Sequence, residues 1–406
     1  MRKTQIVAAV AGAMMIPLAI AGCSSGGASS SGGKLALTVE DYYTQPQAAV
    51  MDKIYQACAK QLGDTVTSTH VAGAGLIAKV LQQSSSKTLP DVLMLDNPDV
   101  QQIAASGALS PLSNYGITGK GFAPAVVKAG TYQGKLYGLA PAINSIALFY
   151  NTDILKAANI TPPKTWAELQ SDATALTKPG QYGFAFSGIN TYEGTWQFLP
   201  FMWTNGGSEK NINTPETAQA LTLLTDMVKD GSTSASVVNW AQSDVLNQFT
   251  AGKAAMMING PWNIGALQAV PSVHWASVPI PGRTASQTIQ SPLGGETFNV
   301  PETGSKDKMA AGGKLVSCIT DAKNQVTIAN GEGDVPASLT VAAQVAKTHP
   351  LIAPFVTIVK TARSRTALMG AKWPVAATKI YTAEQLALTG KLSPAAALAQ
   401  AQSQNQ

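Results

Sequence analysis

The feature that restricts the fold most strongly is a strand pattern followed by a helix pattern, repeated along the chain. Residues 34–39 alternate apolar residues with others, and residues 47–62 place apolar side chains at helical spacing. The same order returns twice more, in 65–71 with 76–83 and in 91–95 with 100–105. Strands that are joined through helices usually pair in parallel. The sequence therefore predicts an α/β fold.

A second series of such patterns begins near residue 143. Residues 143–150 form an apolar strand pattern, and Thr165 with Glu168 has the spacing of a capping box that opens a helix. Further strands are expected at 182–186, 254–258, 275–278 and 297–300, and a helix at 215–229. The last third of the chain is predicted to be mainly helical.

The amino terminus has the layout of an export signal. Arg2 and Lys3 precede an apolar or small-residue run at 6–22, which is too short for the roughly 20 residues of a membrane-spanning helix. The run ends in Ile-Ala-Gly-Cys, which resembles a bacterial lipobox and predicts lipidation of Cys23. A plain signal peptide with an incidental cysteine is the alternative. We predict a signal peptide at 1–22 and a lipidated, flexible tether at 23–33, with an r.m.s. reach of roughly 18 Å.

Charge and cysteine content limit the class of partner and the redox setting. The formal net charge is +5, and removal of the signal leaves about +3 without a basic run, so no nucleic-acid partner is expected. Cys58 and Cys318 are the other two cysteines, and in an oxidising exterior they are predicted to form a disulfide. Two buried thiols remain the alternative. The three histidines are scattered, and neither a metal site nor a cofactor is predicted.

Five segments together carry a family resemblance. Residues 252–267 read GKAAMMINGPWNIGAL, and the accompanying segments lie in order along the chain at 91–109, 134–155, 162–169 and 294–301. They resemble characteristic stretches of the family 1 extracellular solute-binding proteins, the group that includes maltose-binding protein. The closing segment at 363–376 is only loosely similar.

The resemblance implies a two-lobed α/β fold with hinge strands and a cleft that closes around a solute. The expected division is lobe 1 at 34–143 plus 298–332, and lobe 2 at 144–297 plus 333–406. It further implies a monomer that is not an enzyme, lies outside the cytoplasm, is anchored to the cell membrane through Cys23, and delivers a carbohydrate to ABC transporter permease subunits.

The candidate ligand-binding residues lie where strands end or where the chain crosses between the expected lobes. A carbohydrate presents hydroxyls around apolar faces, so aromatic rings and side chains that donate or accept hydrogen bonds suit it. In the family, aromatic residues at such places form the sugar platform. The predicted set is Glu40, Asp41, Tyr42, Tyr43, Asp96, Asn97, Asn144, Thr195, Trp196, Trp262, Gly295, Glu296 and Arg365.

Three alternatives remain open. A glycerol-phosphodiester or polyol ligand would favour cations in the cleft, for which only Arg363, Arg365 and Lys372 are candidates. A lipid-anchored glycosidase would need two carboxylates that flank a bond, although the sequence lacks a G-x-S-x-G, H-E-x-x-H or P-loop motif. A passive surface adhesin would not be stabilised by any small molecule.

Overall fold

The computed structural model describes residues 33–71 and 73–404. The predicted signal peptide, Cys23 and nearly all of the tether lie outside the described residues, and the folded body begins at Leu35. Within the described part of the chain, no helix has the length and apolar character needed to cross a membrane.

The strands are numbered in chain order. They are β1 (Ala36–Asp41), β2 (Thr65–His70), β3 (Val92–Asp96), β4 (Leu109–Ser110), β5 (Thr131–Tyr132), β6 (Lys135–Leu136), β7 (Gly138–Leu139), β8 (Ala142–Ile143), β9 (Ala147–Asn151), β10 (Tyr182–Ala185), β11 (Ala254–Asn259), β12 (Trp275–Val278), β13 (Pro292–Leu293), β14 (Glu296–Pro301), β15 (Val335–Pro336) and β16 (Arg363–Ser364).

The α-helices are numbered in the same way. They are α1 (Gln47–Leu62), α2 (Gly73–Ser86), α3 (Val100–Ala105), α4 (Pro124–Ala129), α5 (Thr152–Ala157), α6 (Trp166–Leu176), α7 (Tyr192–Thr204), α8 (Pro215–Lys229), α9 (Gln242–Thr250), α10 (Ile264–Gln268), α11 (Lys306–Ile319), α12 (Ala322–Glu332), α13 (Leu339–Thr348), α14 (Ala353–Val359), α15 (Trp373–Leu388) and α16 (Pro394–Ser403). The helical last third confirms the prediction.

The first sheet has the strand order β2-β1-β3-β14-β4, and β7 also pairs with β14. The β1 strand is parallel to β2 and β3, as the strand and helix alternation predicted. The β14 strand runs antiparallel to β3 and places Glu296 opposite Asp96. Consequently the last residues of β1 and β3 and the first residue of β14 meet at one edge of this sheet.

The second sheet has the order β10-β11-β9-β12 and carries its own helices. Every residue of β11 is buried, which fits a central strand covered on both faces. Helices α7, α8, α15 and α16 share an apolar core with this sheet. The capping box opened by Thr165 and the cap of α8 by Thr214 are both present, as predicted.

Three crossing segments, residues 141–145, 292–296 and 334–337, run side by side between the two sheets. The β8 strand pairs with β15, and Asn144 bridges to Gly294. Gly295 has a φ of +138°, and a Cβ atom there would lie 2.7 Å from the carbonyl oxygen of Ala142. Only glycine fits this position, because the neighbouring segment approaches so closely. The exact lobe boundaries given above stay a prediction.

A disulfide joins Cys58 of α1 to Cys318 of α11, with the Cα atoms 5.8 Å apart. The two cysteines are 260 residues apart in the chain. A cross-link over a long loop restricts the unfolded chain most strongly in the loop-entropy description.

Replacing both cysteines by alanine is expected to lower the free energy of unfolding by about 2–4 kcal/mol. Urea titration of the purified variant and the wild type measures the difference. Reducing agent should shift the wild-type midpoint and leave that of the variant unchanged. Equal midpoints for both oxidised proteins would contradict the expectation.

Candidate ligand-binding site

The edge of the first sheet brings three predicted residues together. Tyr42 directly follows β1, Asp96 ends β3 and Glu296 opens β14. The Tyr42 hydroxyl donates a hydrogen bond to Oε1 of Glu296 at 3.0 Å. An aromatic ring and two carboxylates therefore lie next to one another where the crossing segments leave the sheet.

Arg365 connects this edge to helix α7. Its Nη1 donates to Oδ2 of Asp96 at 2.6 Å, and its Nη2 donates to Oδ1 of the same carboxylate. The guanidinium carbon lies 4.5 Å from the centre of the Trp196 ring. Arg365 thus forms an ion pair with Asp96 and at the same time covers one face of the Trp196 ring. All three residues were predicted.

Arg363 repeats this arrangement two residues earlier, away from the first sheet. It lies 4.5 Å from the centre of the Trp203 ring and donates to both oxygens of Glu209, at 2.7 and 2.8 Å. Alternate residues of an extended segment point the same way, and tryptophans seven apart share a helix face. This explains why two arginines cover two tryptophans of α7.

Each crossing segment contributes one side chain to a shared polar cluster. Nδ2 of Asn144 donates to Oδ2 of Asp334 at 3.0 Å and lies 3.5 Å from Oε2 of Glu296. One amide group therefore bridges two carboxyl groups. Asn144 and Glu296 were predicted as site residues, and Asp334 was not.

Burial changes the protonation of these carboxyl groups. It raises the pKa of Glu296 to about 7, and the nearby Asp96 carboxylate adds to the effect. Burial followed by the charge of Glu296 raises the pKa of Asp334. Burial followed by the charge of Asp96 raises the pKa of Asp99 to about 8, against the opposing effect of Arg365. The site is thus rich in acid and poor in cations.

Two predicted carboxylates are engaged by other parts of the same lobe. Glu40 pairs with Lys79 of α2 at 2.7 Å and accepts a hydrogen bond from Gln83. Asp41 accepts from the Tyr55 hydroxyl at 2.9 Å and contacts Nδ1 of His70 at 2.6 Å. These side chains tie β1 to α1, α2 and β2.

The remaining predicted residues divide between the crossing segments and the core. Nδ2 of Asn97 donates to the carbonyl of Leu293 at 3.2 Å, so this residue fastens β3 to a crossing segment. Thr195 is fully buried, and its hydroxyl donates to the Ala377 carbonyl at 3.0 Å. Tyr43 is buried, whereas Trp262 is half-buried with its ring directly against Gly260.

Several site residues were not predicted. They are Asp99 after β3, Tyr192 at the start of α7, and Glu332 with Asp334 between α12 and β15. The sequence Gly-Glu-Gly-Asp at 331–334 places two of these carboxyl groups next to glycines at the end of α12, and this was not recognised as a site signal. Among the residues that the structure describes, no group of three or more His, Cys, Asp or Glu side chains could hold a metal ion.

Comparison with known proteins identifies relatives over most of the chain. A model of the bacterial extracellular solute-binding protein family matches residues 53–354. A binding protein of Brucella abortus is 28% identical over 268 residues, which are 62% of this chain and 64% of that protein. The chain thus spans less than two thirds of this relative's length. The galactooligosaccharide-binding protein of Bacillus subtilis is 25% identical, covering 79% of this chain and 78% of that protein.

Solved structures agree with the fold. The GacH receptor of Streptomyces glaucescens, described in unliganded form and with acarbose, has a TM-score of 0.82 at 25% identity, covering 91% of this chain and 97% of that chain. Maltose-bound MalE3 of T. maritima has a TM-score of 0.82 at 22% identity, with 91% and 98% coverage. These matches confirm the predicted two-lobed α/β fold. The chain belongs to the bacterial extracellular solute-binding protein family.

Proposed function

We propose that this chain captures a mono- or oligosaccharide outside the cytoplasm by lobe closure and delivers it to the permease of an ABC importer. The observation that carries the proposal is the convergence of aromatic and hydrogen-bonding side chains at the crossing segments. Tyr42, Asn144 and Glu296 supply donors and acceptors there, Tyr42 also supplies an aromatic ring, and the Trp196 ring beside them is covered by Arg365 on one face. Flat rings next to such groups suit the C–H faces and hydroxyls of a sugar.

The relatives support a saccharide ligand. The Bacillus subtilis relative is a galactooligosaccharide-binding protein, and two from Streptococcus pneumoniae are maltooligosaccharide ABC transporter solute-binding lipoproteins. Transfer of their ligand class to this chain is part of the proposal.

A phosphodiester ligand fits the site less well. Arg365 is paired with Asp96, and Arg363 is held by Glu209, so neither guanidinium is free of a carboxylate. The ionised form of Glu296 would repel a phosphate that approached the crossing segments. The acid-rich character of the site therefore favours a ligand that donates hydrogen bonds.

The proposed function also covers ligand release, oligomeric state and attachment to the membrane. A binding protein must release its cargo, so affinity should come from contacts that form only when the lobes close. We propose that it binds without turnover, acts as a monomer and is held at the membrane through lipid on Cys23. Lipid attached at that residue would leave the folded body free to meet the permease.

A thermal-shift screen of the mature chain against saccharides, polyols and glycerol-phosphodiesters tests the ligand class. A saccharide at 100 times its dissociation constant is expected to add about 2.7 kcal/mol of stability. Stabilisation by a phosphodiester alone would contradict the saccharide assignment. Unchanged melting with every compound would contradict solute capture as a whole.

Trp262→Ala is expected to weaken saccharide binding by about 1–3 kcal/mol, because we propose that its half-buried ring stacks on the sugar; the preceding Pro261 carbonyl lies close to Gly333, next to a crossing segment. Isothermal titration calorimetry measures the change. Trp275→Ala is the matched control, since the Trp275 ring packs 5.5 Å from that of Phe149 in the second sheet. The control should lose stability and keep its affinity. Unchanged affinity of Trp262→Ala would remove this residue from the site.

A further inference from the structure

We propose that the site selects saccharides that carry an ammonium group, and that Glu296 and Asp334 hold this group beside Asn144. The inference rests on the proposed function and narrows its ligand class to amino sugars. It depends on a group of buried carboxyls at the crossing segments, on their hydrogen bonds, and on the absence, among the described residues, of a cation that contacts them.

The two carboxyl groups share a single donor from Asn144. The amide Nδ2 atom lies 3.0 Å from Asp334 and 3.5 Å from Glu296, and the Tyr42 hydroxyl supplies the only other side-chain hydrogen bond to Glu296 in the described part of the chain. Four carboxyl oxygens thus meet two neutral side-chain donor groups, and a backbone N–H also reaches Glu296. A carboxylate can accept at more than one position on each oxygen, so most of the acceptor capacity remains open.

Buried oxygens without partners point to a missing donor. Asp334 and Glu332 are each 2% exposed, and within residues 33–71 and 73–404 Oδ1 of Asp334 and Oε1 of Glu332 find no hydrogen-bond partner. A buried polar atom in this condition destabilises the protein, and a bound ligand with hydrogen-bond donors would offset that cost. The other oxygen of Asp334 accepts from Asn144.

The cationic side chains near this cluster already pair with other carboxylates. Arg365 pairs with Asp96, Lys79 pairs with Glu40, and His70 contacts Asp41. The ion pairs formed by residues 33–71 and 73–404 leave Glu296, Asp334 and Glu332 without a cationic partner. A ligand ammonium group would supply both the charge and three donors, whereas a neutral hydroxyl supplies one donor and no charge.

The groups around Glu296 make the preference for a ligand ammonium group depend on pH. The titratable and charged groups that influence it come from several elements: Tyr42 and Tyr43 after β1, Asp96 of β3, Glu332 and Asp334 at the end of α12, and Arg365 after β16. Burial raises the pKa of Glu296 to about 7. Its ionised form, which attracts a cation, is therefore lost as the pH falls below neutrality.

The test uses calorimetry on the mature chain with three matched disaccharides. The first carries free amino groups, the second carries the same groups as acetamides, and the third has hydroxyls at those positions. Gluco and galacto versions of each are used. The amino form is expected to bind at least about tenfold more tightly than either neutral form at pH 7.5, and this ratio should fall at pH 5.5.

Matched variants distinguish a loss of preference for the amino form from a loss of folded protein. Glu296→Gln and Asp334→Asn keep the shape and remove an ionisable carboxyl group, so they should lose the preference for the amino form. Asp153→Asn removes an exposed carboxylate of the second lobe, and its preference should equal that of the wild type. Binding of a neutral disaccharide with no amino preference would overturn the ammonium proposal and leave saccharide capture standing. Failure of all saccharides to bind would overturn both.

Discussion

Glu209→Ala is expected to lower the free energy of unfolding by about 3–5 kcal/mol, the usual cost of removing one partner of a buried ion pair. The Glu209 carboxylate is inaccessible to solvent and accepts two hydrogen bonds from Arg363 and one from Nε1 of Trp203. The variant leaves a guanidinium and an indole N–H without their acceptor. Urea unfolding at neutral pH measures the loss.

Two controls distinguish the effect of losing the ion pair from a nonspecific loss of stability. Glu302→Ala removes an exposed carboxylate and is expected to change the stability by less than about 0.5 kcal/mol. Glu209→Ala combined with Arg363→Met removes both charges, so the double variant should be more stable than Glu209→Ala alone. A loss below about 1 kcal/mol for Glu209→Ala would show that the pair contributes little.

Periodicity allowed the strands, the main helices and one edge of the first sheet to be predicted. Asp96 was expected in the site because parallel strands direct their final residues to a common edge. Glu296 was expected at a crossing between lobes, and the antiparallel register of β14 places it opposite Asp96. In both cases the prediction depended on local pattern together with a general rule of sheet geometry.

Local sequence patterns could not predict the directions of side chains or the contacts between residues that are far apart in the chain. Thr195 and Trp196 are adjacent on α7 and therefore point about 100° apart, so one enters the core while the other meets Arg365. Asp334 lies 190 residues from Asn144, and no local pattern indicates that contact. Arg365 was predicted as a cleft residue, but its stacking on Trp196 depends on how α7 and β16 pack together.

Glu384→Met is expected to stabilise the protein, and the gain should be larger at pH 8 than at pH 5. Glu384 lies in α15, is 1% exposed, and neither of its carboxyl oxygens has a hydrogen-bond partner among the residues that the structure describes. Ile380, Ala383 and Ala387 of the same helix lie in the apolar core that α15 shares with the second sheet. A methionine of similar length removes a buried polar group that costs roughly 1–3 kcal/mol when unsatisfied.

The pH dependence follows from the protonation of the same carboxyl group. Burial raises the pKa of Glu384 well above its ordinary value, with no other contributing group. In the unfolded chain the group ionises at a pH of about 4.3, while the folded protein keeps the proton. Between these two pKa values the unfolded state binds fewer protons, so the stability of the wild type falls by up to about 1.4 kcal/mol per pH unit. The variant lacks this contribution.

Urea unfolding of wild type and Glu384→Met at pH 5 and pH 8 measures both effects, with Glu302→Met as the control for an exposed position. The other buried carboxyls titrate equally in both proteins, so the difference between them isolates Glu384. A variant that is less stable than the wild type at pH 8 would mean that the carboxyl group has a partner in solution. A gain that is equal at both pH values would mean instead that the pKa of Glu384 is close to that of an unfolded glutamate.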